Sequence, residues 1–333
     1  MQRRINRRDA LQGLTALGGC ALLGGARAQG AAGWPAKPIR LIVPFNAGGA
    51  TDIVARTIGE ALARRTGQPV VVDNRGGAAG ILGTDAVAKA AADGYTLLVS
   101  LSTSMLINQF LYAKLPYDPQ KDLTLLTQVA AAPVTLVVHP SVPANDMKEL
   151  LAYARANRGR LSYGSWGVGS YAHLAGAYMS KSTDADMTHV AYKGEAPMIQ
   201  ELIGGQLQLC FSSALNTKPF IDAGRLKAIG VTGRQRMEIL PRVPSIHEQG
   251  VRDEAYALFG WVAMGAPAGL PREVADTLAS HLREIARDPK LVERVAAAGF
   301  TLMMNTPEAF RENYRHDMPV WKALVEEAGA KLE

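Results

Sequence analysis

Two glycine loops hold the residues whose types and spacing could do chemistry. The first runs Pro44-Phe45-Asn46-Ala47-Gly48-Gly49-Ala50-Thr51-Asp52. An apolar run, Ile39 to Val43, ends at Pro44, passes the glycine pair and enters an amphipathic segment from Ile53 to Arg65. That pattern reads as strand, tight loop, helix. A helix entered this way leaves backbone N–H groups unpaired in its first turn, where the peptide dipoles favour an anion. No Lys follows the glycines, so this is not a Walker A phosphate cradle. The anion it suits is smaller than a nucleotide phosphate chain, and a carboxylate fits.

The second loop, Ser165-Trp166-Gly167-Val168-Gly169-Ser170-Tyr171-Ala172-His173, follows a short strand and opens a helix with Ser170 placed to cap it. Gly167 to Ala172 formally matches G-x-G-x-x-A, a dinucleotide fingerprint. The next strand, His189–Tyr192, is followed by Lys193 where that fingerprint needs an acidic residue for a ribose. Two other readings stand: a glycine turn that only closes the helix, and an anion-binding loop facing the first. The last is the expectation taken forward.

Catalytic constellations are absent from the sequence. Tyr163 stands where a G-x-S-x-G elbow around Ser165 needs Gly. The six His residues show no H-E-x-x-H spacing. No cofactor or metal is implied. Cys210 lies in the alternating run Gln206–Phe211 and reads as a small buried core residue.

Strand-like runs alternate with helical ones from Ile39 to Val231, which predicts α/β architecture with mostly parallel sheets and crossover helices. Long helical segments follow at Pro271–Arg287, Pro289–Ala298 and Pro307–Ala328, each opened by Pro. Two stretches, Asp122–Pro140 and Glu254–Ala266, read as extended connections. The expectation is two α/β lobes, the second inserted into the first: residues 34–132 plus 258–333, and 133–257. In such folds ligands sit in the cleft between lobes.

The first residues set the compartment. Arg3, Arg4, Arg7 and Arg8 precede an uncharged Ala/Leu/Gly-rich stretch, and Ala26-Arg27-Ala28 offers a cleavage site, so residues 1–28 read as a secretory signal. Arg7-Arg8 is compatible with twin-arginine or Sec export, and Leu17-Gly18-Gly19-Cys20 resembles a lipobox. The whole chain carries 36 Lys and Arg against 30 Asp and Glu, +6 in total. Residues 1–28 hold five of those Arg and one Asp, so the remainder is about +2. No nucleic-acid patch remains.

The chain from residue 34 to the C-terminal helix resembles the Bug-type (TctC-like) periplasmic solute-binding proteins of tripartite tricarboxylate transporters. The matching stretches include Trp34–Arg40, Pro44–Asp52, Asp73–Gly80, Asp93–Leu98, Gly167–Ser170 with His173-Leu174-Ala175, Tyr192–Pro197, Leu240–Ser245 and Gly265–Gly269. The resemblance implies a two-lobed, hinge-closing monomeric receptor of type II-like fold with a carboxylate ligand and membrane transporter partners. A sensor for a signalling system is the alternative role. It places Phe45, Asn46, Gly48, Gly49, Ala50, Thr51 and Asp52 on one wall, with hydroxyls of Ser102, Thr103 and Ser104 beside them. Ser165, Gly169, Ser170 and His173 fall on the other wall, with Ser212 also at the ligand. Asp52 is expected to order its own loop, because like charges repel. His173 is expected to bond a loop carbonyl, and Trp166, Trp261, Arg75 and Lys193 are further cleft candidates. Where many members carry an acidic residue after the strand ending at Phe211, this chain has Ser212-Ser213. That favours a carboxylate without an amino group. Asn74-Arg75-Gly76-Gly77 replaces the usual Asn-Arg-Pro-Gly, a change expected to loosen that loop.

Overall fold

Hydrophobic runs too short for helices build the strands of this protein. In the first, β1 (Ile39–Val43), four of five side chains are fully buried, as expected for a strand covered on both faces. The computed structural model describes residues 33–192 and 194–332, so the expected signal segment, Cys20 and Lys193 lie outside the described residues. Residues Pro35–Glu333 form one unit.

From β1 the chain continues through α1 (Ala50–Thr66), β2 (Val70–Asn74), α2 (Ile81–Ala88) and β3 (Thr96–Leu101). A π-helical turn over Thr103–Ile107 leads into α3 (Asn108–Leu111), and then β4 (Leu123–Ala132). Helix α1 stops where Gly67 adopts a left-handed conformation and donates its N–H to the Ala63 carbonyl.

The second sheet begins only two residues after β4. It comprises β5 (Thr135–Val138), α4 (Met147–Ala156), β6 (Ser162–Ser165), α5 (Tyr171–Ser182) and β7 (Thr188–Ala191). Next come α6 (Glu195–Ile203), β8 (Leu209–Ser212), α7 (Ala214–Asp222) and β9 (Lys227–Val231). After a helical turn, α8 (Glu254–Ala257), β10 (Gly260–Pro267) returns to the first sheet. Helices α9 (Arg272–Ile285) and α10 (Pro289–Ala297), strand β11 (Thr301–Leu302) and helix α11 (Pro307–Glu327) complete the chain.

The first sheet has the order β11-β4-β10-β3-β1-β2, and the second β7-β6-β8-β5-β9. The α/β class, with two sheets flanked by helices, is as expected. Strand directions are more mixed than the crossover pattern suggests. β10 lies antiparallel between β3 and β4, and β5 is antiparallel to both β8 and β9. The cause is the insertion: the chain leaves the first sheet along β4 and comes back along β10, its neighbour. Part of the expected extended stretch Glu254–Ala266 is the turn α8, closed by the Leu258 N–H on the Glu254 carbonyl.

The two connections are tied together. The Val134 N–H donates to Thr232 Oγ1 at 2.9 Å, the Thr232 N–H returns to the Val134 carbonyl, and the Gly233 N–H reaches the Tyr256 carbonyl. Helix α11 crosses to pack on α5. There Tyr171 sets its ring edge-on to Trp321 at 5.6 Å and to Phe211 at 5.9 Å, and donates its hydroxyl to the Ala255 carbonyl. One hydrophobic core therefore runs between the sheets, holding Leu106, Leu136, Phe211 and Trp321 together.

Helix α5 sits on β6 so closely that a Cβ on Gly176 would lie 2.2 Å from Tyr163 Cδ2. Gly176→Ala is expected to destabilise the fold by about 1–3 kcal/mol through overpacking. Urea unfolding should show a lower midpoint with an unchanged slope.

Candidate functional site

The first glycine loop is held from behind by one buried carboxylate. Asp52, 2 % exposed, accepts the Gly48 N–H at 2.9 Å, Arg56 Nε at 3.0 Å and Asn74 Nδ2 at 3.0 Å. The Asn74 amide also donates to the Phe45 carbonyl at 3.1 Å, so the end of β2 fixes both sides of the loop. Burial pushes the Asp52 carboxyl up, but the Arg56 hydrogen bond, the Gly48 N–H and Asn74 together hold it below its ordinary value. Asp52 thus faces its own loop rather than the cleft. Gly49 is the N-cap of α1 and offers no side-chain cap. Among the described residues, the N–H groups of Ala50, Thr51 and Asp52 find no protein acceptor.

Gly76 lies close to the first loop: a Cβ there would be 2.8 Å from Asn46 Oδ1, the end of a side chain. At the Asn74-Arg75-Gly76-Gly77 stretch the end of β2 thus lies against Phe45-Asn46. Arg75 pairs with Asp73 at 3.0 Å, on the surface.

A cavity of 420 Å³ opens in front of the α1 N-terminus. Gly48, Gly49, Ala50 and Thr51 line it, joined by Ser102 and Thr103 from the end of β3. The connecting segment contributes Ala132, Pro133, Val134 and Gly260. The second sheet contributes Trp166, Tyr171, Glu195, Ser213, Leu215 and Asn216, and Phe300 closes one side.

Several candidates sit elsewhere. Phe45 packs its ring under Gly80, and Asn46 turns toward Gly76. Ser104 is fully buried and shares hydrogen bonds with Ser100 and Thr84 at 2.6 and 2.9 Å. The π-helical turn rotates it inward, away from Ser102 and Thr103. Ser212 is also fully buried, with its hydroxyl unpartnered among the described residues. Trp261 is a core residue, edge-on to Phe310 at 5.1 Å. Cys210 is a free, fully buried thiol whose pKa burial raises.

The second glycine loop is built by side chains that turn inward. Ser165 is fully buried, with Oγ 2.7 Å from His189 Nε2 and 3.1 Å from the Gly167 carbonyl. Ser170 caps α5 by accepting the His173 N–H. His173 Nδ1 accepts the Gly169 N–H at 3.1 Å, so its partner is an amide and not the expected carbonyl. Gly169 adopts φ +77°, and a Cβ there would meet Leu111 at 2.4 Å. The His173 and His189 rings stack at 3.9 Å, and burial, then the neighbouring imidazole, lowers the His173 pKa to about 4. Trp166 and Tyr171 are what this loop presents to the cavity.

The sequence reading missed Glu195. Its Oε1 accepts the Ser213 N–H at 3.1 Å, and its Oε2 accepts Ser213 Oγ at 2.5 Å and the Asn216 amide. The start of α6 thus places an acidic group beside Ser213, which removes the ground for expecting a carboxylate without an amino group from Ser212-Ser213 alone. Glu195 is the only charged side chain lining the cavity among the described residues.

Two outcomes follow from this geometry. Asp52→Ala leaves three donors without their acceptor and should cost about 1–3 kcal/mol in denaturant unfolding. Its depressed pKa adds stability that is present above the ordinary 3.8 and disappears as pH falls through the folded value. His173 acts over a higher range. Its folded value of about 4 lies below the ordinary 6.5, so the unfolded chain takes the proton first. Stability should be complete above pH 6.5 and fall progressively toward pH 4, with a flatter decline in His173→Gln.

The chain is similar to a known family over most of its length. The profile of the tripartite tricarboxylate transporter family receptor, TctC, matches residues 54–330. Protein BugT of Bordetella pertussis is 35 % identical over 301 residues, spanning 90 % of this chain and 92 % of BugT. An R. palustris protein solved with adipate superposes with a TM-score of 0.77 at 31 % identity, covering 89 % of this chain and 98 % of its own. MatC from Rhodopseudomonas palustris, solved with bound malate, gives 0.73 at 27 % identity, covering 87 % and 99 %. The chain belongs to the TctC/Bug family of tripartite tricarboxylate transporter receptors, periplasmic solute-binding proteins that are not enzymes.

Proposed function

We propose that the protein captures a small carboxylate between its two lobes, 34–132 with 258–333 and 133–257, by hinge closure. It then delivers the solute to the membrane subunits of a tripartite tricarboxylate-type transporter. The observation that carries this reading is the set of unpaired N–H groups at Ala50, Thr51 and Asp52, at the edge of a cavity built from both sheets. Ser102 and Thr103 add hydroxyls on the same wall, and Trp166 and Tyr171 add apolar surface from the other. The ligands in the R. palustris neighbour and in MatC, adipate and malate, are carboxylates of this size class.

Micromolar affinity needs about 8 kcal/mol net. Each hydrogen bond to a charged group contributes roughly 1.5–3 kcal/mol, so four or five supply about 6–15 kcal/mol, and burial of the ligand's apolar body against the cavity wall helps to offset association costs. Closure strengthens them by excluding water. Residues 29–333 act in the periplasm as a monomer, exported by the N-terminal signal and needing neither cofactor nor nucleic acid.

The test is a thermal-shift screen of residues 29–333 against carboxylates, amino acids and nucleotides, followed by calorimetry. A carboxylate should raise the melting temperature, bind one-to-one with saturation and be recovered unchanged. Stabilisation by a dinucleotide alone, or chemical conversion of the bound compound, would overturn the reading.

A further inference from the structure

Three helices begin at the cavity: α1, α6 and α7. Each directs unpaired amides and the positive end of its dipole toward that space. A cavity so arranged could hold two anions, one at α1 and one between α6 and α7. The second position is already taken. Glu195, the first residue of α6, places its carboxylate over the start of α7, where it consumes the Ser213 N–H, the Ser213 hydroxyl and the Asn216 amide. These are the donors a second ligand carboxylate would need.

We infer that Glu195 is the specificity-determining residue of this cavity. It stands in for a second ligand carboxylate and so selects a monocarboxylate over a dicarboxylate. The inference rests on the carboxylate reading of the α1 loop. Two further observations support it. Glu195 is the only charged side chain lining the cavity among the described residues, so a dicarboxylate would bring two more negative charges to a wall whose described side chains include no Lys, Arg or His. The remaining wall is apolar, with Val134, Trp166, Leu215 and Phe300 suited to a hydrocarbon or aromatic body. Glu195 is half-buried and its oxygens accept three hydrogen bonds from Ser213 and Asn216. A carboxylate offers about four acceptor positions, so one is left for a donor on the ligand. A neutral hydroxyl or an ammonium at the far end of the ligand is therefore tolerated or favoured, whereas a second carboxylate meets like charge at close range.

Matched compounds test this directly. Calorimetry on residues 29–333 would compare hexanoate, 6-aminohexanoate and adipate, the shorter homologues down to four carbons, and benzoate against terephthalate. The expected result is at least tenfold weaker binding of each dicarboxylate than of its monocarboxylate or amino-acid counterpart. In Glu195→Gln that preference should shrink by about tenfold, with dicarboxylate binding gained and amino-acid binding weakened. The melting temperature of the unliganded variant separates a folding defect from a change in preference. The wild-type ratio stands as a test by itself should the variant not fold. Dicarboxylates bound as tightly as their partners by the wild type would overturn the role of Glu195, as would a preference unchanged in the folded variant. Binding by no compound of either series would instead contradict the carboxylate reading beneath it.

Discussion

The buried carboxylate of Asp52 is the constraint on which the first loop depends. A glycine pair between a strand and a helix has many accessible conformations, and fixing them costs entropy. Asp52 selects one by accepting the Gly48 N–H, while Arg56 and Asn74 donate to two more of its acceptor positions. With Gly48 held back, the next amides of α1 are left pointing forward without partners. The same carboxylate cannot face an incoming anion, because its oxygens are engaged behind the loop. One acidic residue thereby removes its own charge from the cavity and orders the groups that favour an anion there.

A parallel device operates on the other side of the cavity, with the opposite consequence. Glu195 also accepts a backbone N–H and two side-chain donors, and it also pins one helix start to the next. It does so from the cavity wall, so its charge remains part of what a ligand meets. Between the two, Tyr171 joins the cavity wall to the core that runs between the sheets. It lines the cavity, packs against Trp321 of α11 and Phe211 of β8, and bonds the Ala255 carbonyl beside the returning connection. Any rotation of one sheet against the other must pass through these contacts.

Local features of the site were legible in the sequence. Strand, glycine pair and amphipathic helix are short-range patterns: β1 forms at the expected Ile39–Val43, and α1 starts three residues before the expected Ile53. What depended on strand order was not legible. Glu195 reaches Ser213 because α6 and α7 follow β7 and β8, which flank β6 in the second sheet, and no local signal gives that adjacency. His173 turns inward because pairing of β6 with β7 puts His189 beneath it. Ser104 leaves the wall on which Ser102 and Thr103 sit because the π-helical turn swings it toward Thr84. The antiparallel placement of β10 reflects where the inserted lobe rejoins the chain, a property of topology and not of its own residues.

The central claim is that the amides opening α1 hold the ligand carboxylate. An NMR titration of ¹⁵N-labelled residues 29–333, with the member of the carboxylate panel that gives the largest melting shift, reports on those amides individually. The Ala50, Thr51 and Asp52 N–H protons should show saturable downfield shifts, following the same isotherm as calorimetry. Saturable binding that leaves these three resonances unmoved would contradict it.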